Sequence, residues 1–347
     1  MLSNLTTVQV RARVLAGVAE LVAKCGGDYN NLFCQAGISC ELLHTPEATF
    51  EHSKYIELLE LAASSLNIGD FGLRLARLQG ISVLGPVALI AQQATTIGEA
   101  IAAVARNFPY HSPGAVITLS QPTGDAGSTE TAMACLRYEL QLPGGTAQRQ
   151  NAEVSYAIAL GFLRLLSANT PADWRIHFAH PRGLPTKRYQ KHLGCQVRFG
   201  QPFDALYFRQ DILNLHIDGA DPTLIETAQR FVSHVIARSP LDLGLQVETL
   251  LIRQLADGGC TLPRIARQLR LSPSSLQRRL RALGISFDDI ADRLRKDRAA
   301  EYLRHTSMPL AQVGSLLGYS ESSSFNRSCQ RWFGVTPQTY RRTAENA

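Results

Sequence analysis

The sequence predicts an α+β N-terminal domain, with helices around a small sheet, followed by an all-α C-terminal domain. Three observations carry that expectation. The chain has 347 residues, 45% of them apolar, which is enough for two domains with a core each. Up to about residue 215, helical apolar spacing is mixed with short extended runs, whereas past residue 223 every patterned stretch reads helical. Charge divides nearby. Residues 1–239 hold 19 basic and 19 acidic side chains, whereas residues 240–347 hold 16 and 10, so the whole formal excess of +6 lies in the C-terminal third.

Val8–Lys24 has helical spacing at Val10, Val14, Val18, Leu21 and Val22. Ser53–Leu66 and Phe71–Leu78 continue in that style, with Asp70 placed to cap the second. Gly85–Ala94 and Thr96–Asn107 read as two further helices, the latter opened by Thr95 or Thr96. Ala115–Ser120 and Thr129–Leu140 then look extended, separated by the Gly/Pro/Asp/Ser-rich turn Gln121–Ser128. Gln148–Ser167 is a long helix. Trp174–Phe178, Cys195–Phe199 and Ala205–Phe208 read as short strands around a basic helical stretch at Thr186–His192. Periodicity fails over Leu215–Thr223. The expected division is therefore an α+β domain over 1–220, a linker and connecting helix over 221–243, and a helical domain over 244–347, with Thr223–Arg238 and Gly244–Asp257 as candidate helices.

Several chemistries find no support in the sequence. No run approaches the ~18 apolar residues of a membrane span, and Met1–Arg13 has no signal-peptide core, so a soluble cytoplasmic protein is expected. The seven cysteines are scattered without a C-x-x-C pair and read as reduced thiols, and the nine histidines show no metal-ligand spacing. No metal or cofactor is expected. Nucleophile elbow, Gly-rich phosphate loop and paired carboxylates are all missing, so no catalytic residue is proposed. Gly26-Gly27 and Gly144-Gly145 read as turns, and Lys187–Lys191 as a solvated helix face. For His111, Tyr110 and Arg106, which follow or end a helix and could line a pocket, an ordinary structural role is the plainer reading.

A repeat in the helical domain is the informative feature. Ile265–Ser272 followed by Pro273–Leu283 resembles Val313–Ser320 followed by Glu321–Phe333. Each is a short amphipathic helix, a tight turn ending in Ser, and a second helix with Arg on its outer face: a helix-turn-helix. Ala266 and Gly314 are small where the paired helices must approach. Ser272 and Ser320 suit the N-cap, and Pro273 suits the first helical position. Leu276 and Leu280, and likewise Phe325 and Cys329, would face inward. That leaves Ser274, Gln277, Arg278 and Arg281 exposed on one helix, and Ser322, Ser323, Asn326, Arg327 and Gln330 on the other. Arg suits guanine edges and Asn or Gln suits adenine, while helix N-termini and the remaining Arg would hold phosphates. Between the units, Phe287–Leu303 forms a rod of about 25 Å, with apolar Ile290, Leu294, Ala299 and Leu303, able to hold two recognition helices near one DNA turn apart. Plain bundle helices are the alternative. Two such units in tandem, joined by a helix and carrying the charge excess, fit that alternative poorly.

These residues identify a family. Ile265-Ala266, Ser272, Leu276-Gln277-Arg278, Arg298-Ala299, Leu303, Val313-Gly314, Leu317-Gly318-Tyr319, Phe325, Arg327, Trp332-Phe333-Gly334, Thr336-Pro337 and Tyr340-Arg341 resemble the DNA-binding domain of the AraC family of bacterial regulators. Cys329 departs from it, standing where the family usually has a Phe. Ala36–Ile38, Gly72–Leu75, Leu84-Gly85, Thr96–Ala100 and Gly194–Phe199 resemble the arabinose-binding-like effector domain of regulators of amino-acid and lipid catabolism and virulence, not the cupin-like arm of the arabinose regulator. The resemblance implies a transcription regulator, an activator in direction. It would contact double-stranded DNA and RNA polymerase, and its N-terminal domain would bind a small organic effector or mediate homodimerisation. It names no effector-binding residues. Two rivals are an N-terminal domain that is only an interaction module, and an enzyme with a nucleic-acid-targeting tail.

Overall fold

The computed structural model describes residues 8–120, 132–140, 148–217, 226–232, 243–255, 261–269, 271–305, 308–319 and 321–345. The predicted turn Gln121–Ser128, Gly144-Gly145, Cys260 and Ser320 lie outside those residues. Two compact units emerge, Met1–Ser239 and Pro240–Ala347.

The first unit opens with strand β1 (Gln9–Arg11), a 3-10 turn (Ala12–Leu15) and helix α1 (Val18–Lys24). This corrects the expectation of one helix over Val8–Lys24. Val8, Val10, Ala12 and Val14 are all buried, a period of two that serves a strand as well as the longer spacing serves a helix. Gly17, at φ 75°, then sets the chain into α1. Strand β1 pairs antiparallel with β2 (Thr49–Glu51), an element without a sequence signal of its own. Helix α2 (Tyr29–Gln35) was not foreseen either; Asp28 caps it by accepting from Asn30 N.

Helices α3 (His52–Ser65), α4 (Phe71–Gln79), α5 (Pro86–Gln92) and α6 (Ile97–Asn107) fall where the periodicity places them. Thr96 caps α6 through Glu99 N, and Glu99 Oε2 accepts from Thr95 N, a reciprocal cap. Asp70 does not cap α4. Its carboxylate is buried and meets Arg74 at 3.0 Å, His192 at 2.9 Å and Arg188 at 3.3 Å. Burial pushes the acid up, but the hydrogen bonds from Arg74 and His192 and the nearby Arg charges prevail and hold it below the usual carboxylate range.

Strands β3 (Ala115–Ser120), β4 (Met133–Leu140), β5 (Arg175–His177), β6 (Gln196–Arg198) and β7 (Ala205–Arg209) form one sheet in the order β3-β4-β7-β5-β6. All its pairings are antiparallel except β5 with β6, which helix α8 (Thr186–Leu193) connects as a parallel crossover. Alternation along β4 and β7 turns Ala134, Leu136, Leu206 and Phe208 inward, where Tyr156, Leu160 and Leu163 of α7 (Arg149–Leu166) join them in one core. A second core gathers α1 to α6, with Phe33, Leu58, Leu59, Phe71 and Val87 fully buried. Helix α9 (226–232), within the stretch expected as linker, buries Ala228 and Val232 in that second core. No single helix among the described residues is long and apolar enough to cross a membrane.

The second unit is helical throughout its described residues: α10 (Leu243–Leu255), α11 (Leu262–Gln268), α12 (Pro273–Ala282), α13 (Phe287–His305), α14 (Leu310–Leu316), α15 (Ser322–Phe333) and α16 (Pro337–Glu345). Helix α13 is the axis. Its first half buries Phe287, Ile290, Ala291 and Leu294 and packs against α10, while its second half contributes Ala299 and Leu303 to a core with Val313, Leu317, Phe325 and Cys329.

Candidate nucleic-acid interface

Each recognition helix starts from a short supporting helix. In the first unit of the repeat, Ile265 and Ala266 of α11 are fully buried, and α12 begins at Ser272, whose hydroxyl accepts from Ser275 N at 3.2 Å. Pro273 sits at the first helical position, where a missing N–H costs nothing. In the second, Val313 and Gly314 of α14 are buried, and a Cβ built on Gly314 would stand 3.4 Å from Phe325 Cβ. Gly314 is therefore small because α15 lies against it. The N-cap position of α15 is Glu321, which makes no side-chain cap, although its carboxylate accepts from Ser323 Oγ at 3.1 Å. An acid there suits the helix dipole.

Counted from their first residues, the two recognition helices match position by position. Leu276 and Phe325 are fourth and Leu280 and Cys329 are eighth; all four are buried. Ser274 and Ser323 are second, Gln277 and Asn326 fifth, Arg278 and Arg327 sixth, Arg281 and Gln330 ninth; all eight are exposed, as is Ser322. The structure thus gathers the nine candidate residues onto two outward faces. Gln277, Arg278, Arg281 and Asn326 engage no other side chain among the described residues. Arg327 Nη2 donates to Ser324 Oγ at 3.0 Å, a weak exposed tether, and Gln330 Nε2 donates to Gly334 O at 2.8 Å, closing the last turn of α15. Sequence reasoning passed over Arg279, the seventh residue of α12, which is exposed beside Arg278.

A polar clamp fixes α15 on α13. Asp292 accepts from Trp332 Nε1 at 2.9 Å and also pairs with Arg331. Arg295 Nε donates to Leu317 O at 3.2 Å, its guanidinium lies 5.6 Å from the Tyr319 ring, and Tyr319 OH donates to Ser328 Oγ at 2.9 Å. From the same turn of α13, Arg293 bonds Glu248 of α10 at 2.9 Å. One rod of 19 residues, about 28 Å long, is therefore anchored by side chains to α15 of the second unit and to α10, which packs in turn against α11 and α12 of the first. Burial raises the Cys329 thiol to about 12, leaving it a packing residue without thiolate chemistry. Among the described residues no His/Cys/Asp/Glu group has metal-binding geometry.

Comparison with known proteins agrees with this architecture. Residues 26–217 match the family described as the arabinose-binding domain of AraC transcription regulators, and residues 265–343 match a helix-turn-helix domain family. The chain is 35% identical over 332 residues to the HTH-type transcriptional regulator VirS of Mycobacterium tuberculosis, covering 96% of each chain. It is 27% identical over 340 residues to the ornithine utilization regulator of Pseudomonas aeruginosa, covering 97% of this chain and 98% of that one. The crystal structure of the transcriptional regulator CdpR from Pseudomonas aeruginosa aligns with a TM-score of 0.43 at 21% identity, over 90% of this chain and 96% of the other. The chain belongs to the AraC family of DNA-binding transcription regulators, with an N-terminal domain of the arabinose-binding type.

Proposed function

We propose that α12 and α15 enter two adjacent major-groove segments of one promoter. Ser274, Gln277, Arg278 and Arg281 would read the first segment; Ser322, Ser323, Asn326, Arg327 and Gln330 would read the second. The observation that carries this reading is the matched pair of outward faces, each with an amide fifth and an Arg sixth, backed by buried residues at the fourth and eighth positions. A bidentate Arg selects guanine and an amide selects adenine, so the faces carry base-reading chemistry as well as charge.

Residues 1–220 bind a small organic effector, residues 221–243 connect, and residues 244–347 bind DNA. The name of the ornithine relative fits an effector of that size class. The protein acts in the cytoplasm by binding, not by turnover. As a homodimer it activates transcription by changing RNA polymerase recruitment, and the effector acts through its preference for the DNA-competent arrangement.

Sequencing genomic fragments retained by the purified protein tests the reading. A shared site should emerge, and its affinity should drop by about 10³- to 10⁵-fold between roughly 50 and 200 mM salt if six to ten phosphates are neutralised. No enrichment, or affinity indifferent to salt, contradicts it.

A further inference from the structure

We propose that the cavity between α3, α6, α7 and the β3–β4 face is the effector site, and that it takes an uncharged organic molecule of about single-ring size bearing one hydrogen-bonding group. This deepens the effector reading above and rests on it.

Size sets the first limit. The cavity has a volume of about 120 Å³. Apolar cavities of about 150 Å³ in protein cores accept benzene, so a ligand of roughly six heavy atoms is the match. Its walls are largely aliphatic and aromatic, with Ile81, Val104, Ile117, Ile158 and Phe162 among them.

The polar groups at the wall set the second limit. Asn151 bonds both His52 and Tyr138. His52 Nδ1 lies 3.1 Å from Ser112 Oγ, which in turn donates to Gln9 O at 3.3 Å. Tyr55 bonds Gln79, whose Nε2 donates to Val14 O at 2.6 Å and Ala16 O at 3.0 Å. These groups are already engaged by the protein. His111 differs: it is 5% exposed, its ring packs on Phe108, and its Nδ1 is buried without a hydrogen-bond partner. A buried nitrogen of that kind is costly to leave unmade; His111 lines the cavity, and a turn of its ring that brings the occluded Nδ1 to a ligand hydroxyl or carbonyl would remove the cost.

Charge sets the third limit. Burial holds both His52 and His111 at about 3, so neither offers a cation at neutral pH. Arg137 at the wall pairs with Glu139 at 3.2 Å, and its guanidinium lies 3.8 Å from the centre of the Phe203 ring. A ligand carboxylate or ammonium would be buried without a matching counter-charge, and a sugar would leave several hydroxyls against hydrocarbon.

The test is thermal unfolding and titration calorimetry of the full-length protein with phenol, toluene, benzoate, arabinose and ornithine. Phenol should raise the melting temperature in a saturable way, as a native-state ligand must. Toluene should bind more weakly, and benzoate, arabinose and ornithine should not bind. Ala159→Phe, at the wall, should weaken phenol binding at least tenfold. His111→Phe should erase the preference for phenol over toluene while both still bind. The proposal is overturned by a phenol affinity unchanged in both variants, by no phenol response at millimolar concentration, or by benzoate, arabinose or ornithine binding in phenol's place. DNA binding is followed on the same preparations. Fragment capture without any phenol response refutes this site and leaves the regulator reading standing; phenol binding without DNA capture does the reverse.

Discussion

Arg278 and Arg327 occupy the same place on their helices, the sixth, and both side chains are exposed. If each reads a base bidentately, Arg278→Ala and Arg327→Ala should each cost about 1–3 kcal/mol on the selected site. Fluorescence anisotropy with selected and random duplexes checks this; equal losses on both would mean a phosphate contact. A second residue, Glu153, gives a prediction remote from DNA. It is fully buried, accepts from Tyr189 OH at 2.7 Å, and burial raises its carboxyl to about 7. The native state therefore holds that proton more tightly than the unfolded chain, whose ordinary value is 4.5. Its stabilising contribution is complete below about 4.5 and is lost as pH rises toward and through about 7. Glu153→Gln, still able to accept from Tyr189, should remove that slope and exceed the wild type in stability at pH ~8. Urea midpoints measured across pH check it, and parallel curves for the two proteins would refute it. At this scale the outward faces of α12 and α15 were legible, because Leu276 and Leu280, like Phe325 and Cys329, fix which side of each helix faces in. The clamp of Asp292 on Trp332 was not, since its partners stand 40 residues apart and no local pattern joins them.

Helix-on-helix contact is the issue one level up. Gly314 meets the Phe325 side chain at 3.4 to 3.5 Å from a hypothetical Cβ, which is ordinary contact for an alanine and too tight for anything longer. Gly314→Ala should be neutral or up to about 1 kcal/mol more stable through helix propensity. Gly314→Leu should destabilise by about 1–3 kcal/mol by forcing α14 off α15. Thermal unfolding of both variants checks the pair, and a Leu variant as stable as the Ala variant would show that the helices do not need this closeness. Long periodic elements such as α3, α7 and α13 were readable because many buried positions agree on one face. Val8–Lys24 was misread because its apolar residues satisfy both periods, and only the pairing of β1 with β2, 38 to 42 residues away, decides between them. Asp70 was misread for a related reason: an acid before a helix is usually a cap, but here α8 supplies Arg188 and His192 from far along the chain.

For the whole molecule, the sequence marked a neutral part and a basic part, and the family matches, residues 26–217 and 265–343, fall on either side of that change in charge. The cavity that we assign to the effector had no sequence signature, since its wall is assembled from residues of α3, α4, α6, α7, β3, β4 and the short 3-10 segments between them. The central claim concerns the repeat: two matched helices, carried by one rod, read a single duplex together. Methylation interference on the selected site tests it most directly, because guanine N7 lies in the major groove. The account predicts two clusters of interfering guanines on one face of the duplex, centred about 10 base pairs apart, with Arg278→Ala relaxing one cluster and Arg327→Ala the other. A single cluster, or two on opposite faces, would contradict it.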